Sequence, residues 1–314
     1  AVGGLAGREL EGALEAYRVE EHLQAAIFGD VWRVAGLRSG RAFAVKTVDL
    51  RLVEQLEREL DGKLCEVPLC EVKYREAMEG LAHVVQMREE FADESCHYVV
   101  SELARGGDLL EALRLRPGGL YERQAQRLMR QAAAGLRGLH GRGLAMQDVS
   151  LENMLLFEDG DGQWEVRLCD PGQATPVRFD DTGAEEPTAF HGFVGKAFRP
   201  PEMYSQREYL ATKVDAWCLG WSAFYLLVAQ PMFSTADPAA RDDDWELFRS
   251  GAHAELFQKK GWRATLSSQA EDFVLRLMHL DPEFRMSVGE ACGHPWLAEG
   301  GAAPPAGAAE AAKA

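Results

Sequence analysis

Positive charge is scarce in this chain: 34 lysines and arginines stand against 50 aspartates and glutamates over 314 residues, a formal net charge of −16. No basic stripe interrupts that balance, so neither nucleic acid nor an anionic membrane surface is an expected partner, although a nucleotide could still bind locally. Cysteine is sparse as well. Cys65, Cys70, Cys96, Cys169, Cys218 and Cys292 are dispersed, form no C-x-x-C pair and have no histidine cluster beside them. That pattern argues against a disulfide scaffold or a zinc site and reads as free thiols in a reducing compartment, with the cytoplasm as the expected location. Long apolar runs are also missing. The longest, residues 216–229, contains Gly220 and Ser222; it is too short to span a bilayer and reads as a buried helix. The first residues show no charged stretch followed by an apolar one, so no signal peptide is expected there. No internal repeat is visible.

What remains is an ordinary globular composition, 46% hydrophobic, 27% charged and 9% aromatic, at a length that suits one large domain or two lobes around a shared core. Residues 1–20 are rich in Gly, Ala and Glu and predict a helical leader. From residue 23 to about residue 50 the pattern is strand, hairpin, strand, with the turn between Gly36 and Gly40. Helical spacing fills residues 51–80 with a break at Pro68, and two further strands flank Asp93-Glu94-Ser95. Beyond Gly107 the apolar spacing is mostly helical, over 109–115, 122–140, 213–229, 243–250 and 268–280. A strand pair, 153–157 and 164–170, interrupts it around Asp159-Gly160-Asp161-Gly162. Residues 299–314 are low-complexity and predict a disordered tail. The boundaries that follow are a leader over 1–20, a β-rich lobe over 21–102, a helical lobe over 103–298 and the tail.

Chemistry concentrates in the middle of the chain. Met146-Gln147-Asp148-Val149-Ser150-Leu151-Glu152-Asn153 is followed, after a hairpin, by Leu168-Cys169-Asp170-Pro171-Gly172. Two acids and an amide on adjacent loops are what phosphoryl transfer from a nucleotide requires. One carboxylate faces the acceptor hydroxyl, while the other and the amide oxygen hold Mg²⁺ against the phosphates. A D-x4-N alone is a weak signal; joined to the later D-x-G it is a strong one.

With those loops in place, the chain resembles the eukaryotic protein kinase family of Ser/Thr type, over about residues 20–298 and in the right order. Phe43-Ala44-Val45-Lys46 is similar to the strand bearing the phosphate-binding lysine. Cys70-Glu71-Val72 resembles the helix whose glutamate pairs with it, although Glu76 competes for that role. His97-Tyr98-Val99-Val100-Ser101-Glu102-Leu103 and Gly106-Gly107-Asp108-Leu109 resemble the hinge. Arg199-Pro200-Pro201-Glu202, the helix starting near Asp215 and Asp281-Pro282-Glu283-Phe284-Arg285 match the rear of the family's domain. The resemblance implies an α+β, bilobal protein-kinase-like fold with a small β-rich N-lobe and a larger helical C-lobe. It implies ATP and Mg²⁺, a protein substrate and a monomer. Lys46, Glu71 and Asp148 become the catalytic set, and Asn153 and Asp170 the metal ligands. Leu23, Val31 and Ala44 roof the adenine pocket above Leu155. The Glu102 carbonyl and Ala104 amide offer the edge hydrogen bonds, and Asp108 reaches the ribose. Ser101 takes the gatekeeper position, where a small side chain should leave a deep back pocket. Glu202 and Arg285 are expected as a buried ion pair, and Asp215 as acceptor of catalytic-loop N–H groups.

Departures from the pattern carry their own expectations. The phosphate loop reads Leu23-Gln24-Ala25-Ala26-Ile27-Phe28-Gly29-Asp30-Val31, so Gly29 is the one glycine left of three and the phosphate cradle is weakened. Gln147 replaces the arginine that would organise a phosphorylated activation loop. Ser150 replaces a lysine at the transferred phosphoryl group. Pro171 replaces the phenylalanine of D-F-G and restricts its swing. The segment from Gly195 to Pro200 is one residue short against the usual peptide-binding loop and lacks its threonine. The expected function is slow, ATP- and Mg-dependent phosphorylation of Ser/Thr hydroxyls, independent of activation-loop phosphorylation. The alternative is a pseudokinase that binds nucleotide or a partner as a scaffold. Glu152 and the run Asp237, Asp242, Asp243, Asp244, Glu246 suggest a preference for basic residues around the acceptor, against the plainer reading of a solvated acidic face.

Overall fold

In the computed structural model of the protein, residues 4–61, 64, 66–190, 199–262 and 266–298 are described. A six-stranded antiparallel sheet opens the chain. β1 (Glu9–Glu11), β2 (Ala16–Ala26), β3 (Gly29–Gly36) and β4 (Ala42–Asp49) follow one another in the sheet. After β4 come α1 (Leu50–Glu59) and the short α2 (Cys70–Lys73) and α3 (Arg75–Met78). The chain then returns through β5 (Met87–Ala92), at the far edge, and β6 (Cys96–Glu102), which pairs with β4. Side chains alternate across a strand, so β4 turns Phe43 and Val45 into the lobe's core and Ala44 and Lys46 toward the cleft.

Residues 1–20 are not a helical leader: they hold β1 and the start of β2. Their Ala, Gly and Glu content favours helix, but Leu10, Tyr17 and Val19 recur at strand spacing and bury one face of a hairpin. Packing against that face outweighs propensity. The β-rich lobe therefore begins before residue 21. Glu15 fastens the hairpin to its neighbours. Its carboxylate accepts the Ser39 and Arg38 N–H groups and pairs with Arg88 at 2.9 Å. Those N–H groups, Ser39's first, hold it below the usual carboxylate range.

The rest of the chain is helical apart from two small strand pairs. It runs α4 (Leu109–Arg114), α5 (Glu122–Gly141), β7 (Leu144–Ala145), β8 (Met154–Glu158), β9 (Trp164–Leu168), β10 (Thr175–Pro176), α6 (Ala211–Val228), α7 (Asp243–Arg249), α8 (His253–Lys259), α9 (Ser268–Leu277) and α10 (Val288–Ala291). β8 pairs with β9, and β7 with β10. The expected buried helix is α6, enclosed along nearly its whole length. Trp217 on it packs against Phe233, Trp245 and Phe248, with ring centroids 5.8–6.5 Å away. α8 was not legible in the sequence spacing, being one short amphipathic piece among turns. Residues 299–314, expected as a disordered tail, lie outside the described residues. No described helix is long and apolar enough to cross a membrane. Cys70, Cys96, Cys169, Cys218 and Cys292 are free thiols, and Cys65 lies outside the described residues. The architecture is the expected α+β one, a small β-rich lobe on a larger helical lobe with a cleft between.

Candidate active site

A cavity of about 300 Å³ occupies the cleft. Leu23, Val31, Ala44, Lys46, Ser101, Glu102, Ala104, Asp108 and Leu155, all assigned to the nucleotide from sequence, form part of its wall, as do Glu71 and Asp170. Asp108 also caps α4, its Oδ1 accepting the Glu111 N–H at 2.8 Å. Beyond the small side chain of Ser101 the wall continues to Met78, Val85, Gln86, Met87 and Val99. Sequence reasoning foresaw that depth but not Arg75, Met78 and Glu79, which line it. They stand four, seven and eight residues after Glu71, so helical periodicity carried the signal.

The charged centre is compact. Lys46 Nζ donates to Glu71 Oε1 at 2.6 Å and to Asp170 Oδ1 at 3.2 Å. Glu71, not Glu76, is therefore the partner. The helical stretch over 51–80 has its expected break at Pro68, with Leu69 after it and Asp61 before it in left-handed backbone, and the phase of α2 brings Glu71 inward. Burial pulls the Lys46 ammonium down, but Glu71 and then Asp170 outweigh it and hold it well above its ordinary value. Glu71's other oxygen takes the Cys70 thiol at 3.1 Å, a contact with no sequence signature. Burial, with Glu71 behind it, pushes that thiol up.

The two loops expected to hold metal and acceptor are stitched together by the β8–β9 hairpin. Met154 faces Leu168 in the ladder, and the Asn153 carbonyl accepts the Cys169 N–H at 3.0 Å. The Asn153 amide nitrogen donates to the Asp148 carbonyl at 2.9 Å and to Asp148 Oδ2 at 3.1 Å, which leaves Oδ1 as its open acceptor. Asp170 adopts φ 55°, a left-handed conformation that Asp enters more readily than most residues, and from it the carboxylate meets Lys46. Asp170 Oδ1 and Oδ2 with Asn153 Oδ1 are hard oxygen donors, the chemistry Mg²⁺ takes.

Beneath the loops, α6 supplies the anchor. Asp215 is fully buried and accepts the Met146 N–H at 2.8 Å, the Gln147 N–H at 2.7 Å and His140 Nε2 at 2.8 Å. The Glu202–Arg285 pair is bidentate, at 2.5 and 3.0 Å, with the Arg285 side chain fully buried over Trp217.

The departures have structural counterparts. β2 stays paired with β3 as far as Ala26 opposite Gly29, leaving only Ile27 and Phe28 as a turn where a glycine arch would stand. Gly29 is not part of the cavity wall. A Cβ there would sit 2.1 Å from the Thr47 carbonyl oxygen, so this glycine permits β3 to approach β4. Gln147 donates to the Ala211 carbonyl at 2.8 Å. The buried Ser150 hydroxyl has no partner among the described residues. Gly195 to Phe198 lie outside the described residues, so the short peptide-binding loop is not placed. Most of the acidic run is consumed internally. Asp244 takes Lys259 and Lys260, Asp242 caps α7, Asp237 closes a turn on Ala239, and Glu246 pairs with Arg249. Asp243, Glu246 and, beside the catalytic loop, Glu152 are exposed, Glu246 while pairing with Arg249.

A family model described as "Protein kinase domain" matches residues 17–297. The chain is 30% identical over 318 residues to CBL-interacting protein kinase 22 of Oryza sativa subsp. japonica, covering 98% of this chain and 67% of that protein. It is 27% identical to Serine/threonine-protein kinase H1 homolog of Danio rerio, over 90% of this chain and 61% of the other. It is 26% identical to Calcium-dependent protein kinase 14 of Oryza sativa subsp. japonica, over 96% and 54%. Against other curated relatives the chain spans as little as 35% of their length.

Proposed function

Because the chain belongs to the protein kinase family, we propose that it transfers the γ-phosphoryl group of ATP to serine or threonine hydroxyls of protein substrates. The observation that carries this reading is the contact of one ammonium, Lys46, with both Glu71 and Asp170 at the inner end of the cleft. Leu23, Val31, Ala44 and Leu155 would enclose the adenine, the Glu102 carbonyl and Ala104 amide would meet its edge, and Asp108 would reach the ribose. Lys46, charged at any working pH, neutralises phosphate oxygens while Glu71 fixes its position. Asp170 and Asn153 would hold Mg²⁺, which would spread the charge developing on the transferred group. Asp148 accepts the hydroxyl proton and is oriented by Asn153, while Asp215 holds the loop beneath it.

The same site sets the rate. A hairpin tip in place of a glycine arch presents few free N–H groups to the phosphates, and Ser150 offers no charge to the group in flight. Loss of one such donor costs about a hundredfold in turnover, so the enzyme is slow. Gln147 provides no cation for a phosphorylated loop, so activity does not depend on that modification. With most of the acidic run paired or capping within the chain, any preference for basic residues near the acceptor falls to Glu152, beside the catalytic loop, and to exposed Asp243. The protein acts as a monomer, and its free thiols suit the cytoplasm.

The test is Mg²⁺-dependent transfer from ATP to a serine/threonine peptide library, wild type beside Lys46→Met. Transfer by the wild type that the variant lacks supports the enzyme. Nucleotide-induced thermal stabilisation without transfer supports a scaffold instead. A library profile indifferent to Arg and Lys removes the role given to Glu152.

A further inference from the structure

The first turn of α6 is the meeting point of the catalytic loop and the segment that follows Asp170-Pro171-Gly172. From the catalytic loop, Gln147 bonds the Ala211 carbonyl, and Asp215 holds the Met146 and Gln147 N–H groups. Yet the residue at the N-cap of this 18-residue helix is Leu210, whose side chain cannot accept a hydrogen bond. The missing cap comes from elsewhere in the chain. Glu185 Oε1 accepts the Thr212 N–H at 3.1 Å, and Glu185 Oε2 accepts the Thr212 hydroxyl. A carboxylate at that place is also favoured by the helix dipole.

Glu185 does not stand alone. It closes a small loop by bridging to Phe179, inside which Asp180 Oδ1 accepts the Thr182 N–H, the Thr182 hydroxyl and the Ala184 N–H at 2.6–3.0 Å. Three residues on, Thr188 and Tyr209 exchange backbone hydrogen bonds at 2.8 and 3.0 Å. Nearer the start of the segment Thr175 pairs with Ala145, and Arg199 at its far end donates to Gln173. The hydroxyl of Thr182 is already spent on Asp180, and the catalytic loop presents neutral Gln147 rather than a cation.

We propose that Glu185 is a positioning residue for the phosphoryl acceptor: a permanent carboxylate that docks residues 173–190 on the N-terminus of α6 without an added phosphate. This rests on the kinase reading above. Glu185 is not part of the cleft wall, so its loss acts on the protein substrate and leaves ATP alone.

The experiment joins two readouts on Glu185→Ala and Glu185→Gln. Hydrogen exchange of a peptide spanning 208–215 reports the Thr212 N–H without any catalysis. Glu185→Ala should speed that exchange about tenfold, the usual effect of losing a helix cap. It should raise KM for a peptide substrate by a similar factor at unchanged KM for ATP. Glu185→Gln, which keeps an acceptor without the charge, should fall between, and it serves if the alanine variant does not fold. Phosphatase-treated wild type should match untreated wild type. Unchanged exchange in Glu185→Ala overturns the proposal, as does a loss confined to KM for ATP or a fall in activity on phosphatase treatment. If the wild type transfers no phosphate the kinase reading falls, while the exchange measurement still decides whether Glu185 docks the segment.

Discussion

Replacing Gly29 with alanine separates two explanations for a glycine at the tip of the β2–β3 hairpin. If the residue serves nucleotide phosphates, the substitution costs ATP affinity and little stability. The geometry says otherwise. The added Cβ would lie 2.1 Å from the Thr47 carbonyl oxygen and 2.9 Å from its carbon, both backbone atoms of β4. No flexible side chain can yield, so β3 and β4 must part by roughly 1 Å, against a normal strand separation of about 4.8 Å. The Asp30 N–H bond to Thr47 Oγ1, 3.0 Å long, is strained by the same movement. Overpacking of this kind costs about 1–3 kcal/mol, and backbone meeting backbone belongs at the upper end. Thr47 follows Lys46, so the shift also disturbs the 2.6 Å contact with Glu71 and raises KM for ATP as a consequence. Urea denaturation of Gly29→Ala, with Gly160→Ala as control because a Cβ there meets nothing within 4 Å, measures the first effect. A midpoint equal to wild type, or weaker ATP binding at full stability, would refute the reasoning.

Other expectations follow from the same contacts. Gln24→Gly with Ala26→Gly should open the hairpin tip and tighten Mg·ATP binding, read by titration calorimetry, because both side chains line the cleft. Arg285→Met strands the Glu202 carboxylate against the core and should cost about 3–5 kcal/mol in denaturant unfolding. Burial, helped by Glu89, pushes Tyr17 up to about 12, and burial pushes Tyr209 up to about 12. Groups whose folded value is raised contribute fully below the unfolded value near 10. Stability should thus hold to about pH 10 and fall as pH rises toward 12, and Tyr17→Phe should flatten part of that fall in urea midpoints taken across the range.

The site was legible in the sequence wherever its parts are joined by short loops or strand alternation. Asp148, Asn153 and Asp170 are brought together by one hairpin, so spacing located them, while Lys46, which shares its strand face with Ala44, was located by the family resemblance. The choice between Glu71 and Glu76 was not legible, because left-handed residues at Asp61 and Leu69 reset the helical phase in a way no periodicity records. The strand at Ala16–Ala26 was hidden by residues that favour helix, and only the alternation of Tyr17 and Val19 pointed the other way. Gly29 was visible as a glycine, but its purpose depends on the close approach of Thr47 on the neighbouring strand β4, which no spacing in the sequence records. The link from Glu185 to Thr212 joins chain positions 27 apart with no repeating pattern between them.

Whether this crevice transfers phosphate is tested most directly by the intact mass of the protein, incubated with ATP and Mg²⁺ beside a serine/threonine peptide. Wild type should place one phosphate group on the peptide, slowly and only with the metal present. Asp148→Asn should still bind the nucleotide yet transfer at least about a hundredfold more slowly. A peptide whose mass never changes despite bound Mg·ATP, or a variant as fast as its parent, would contradict the assignment.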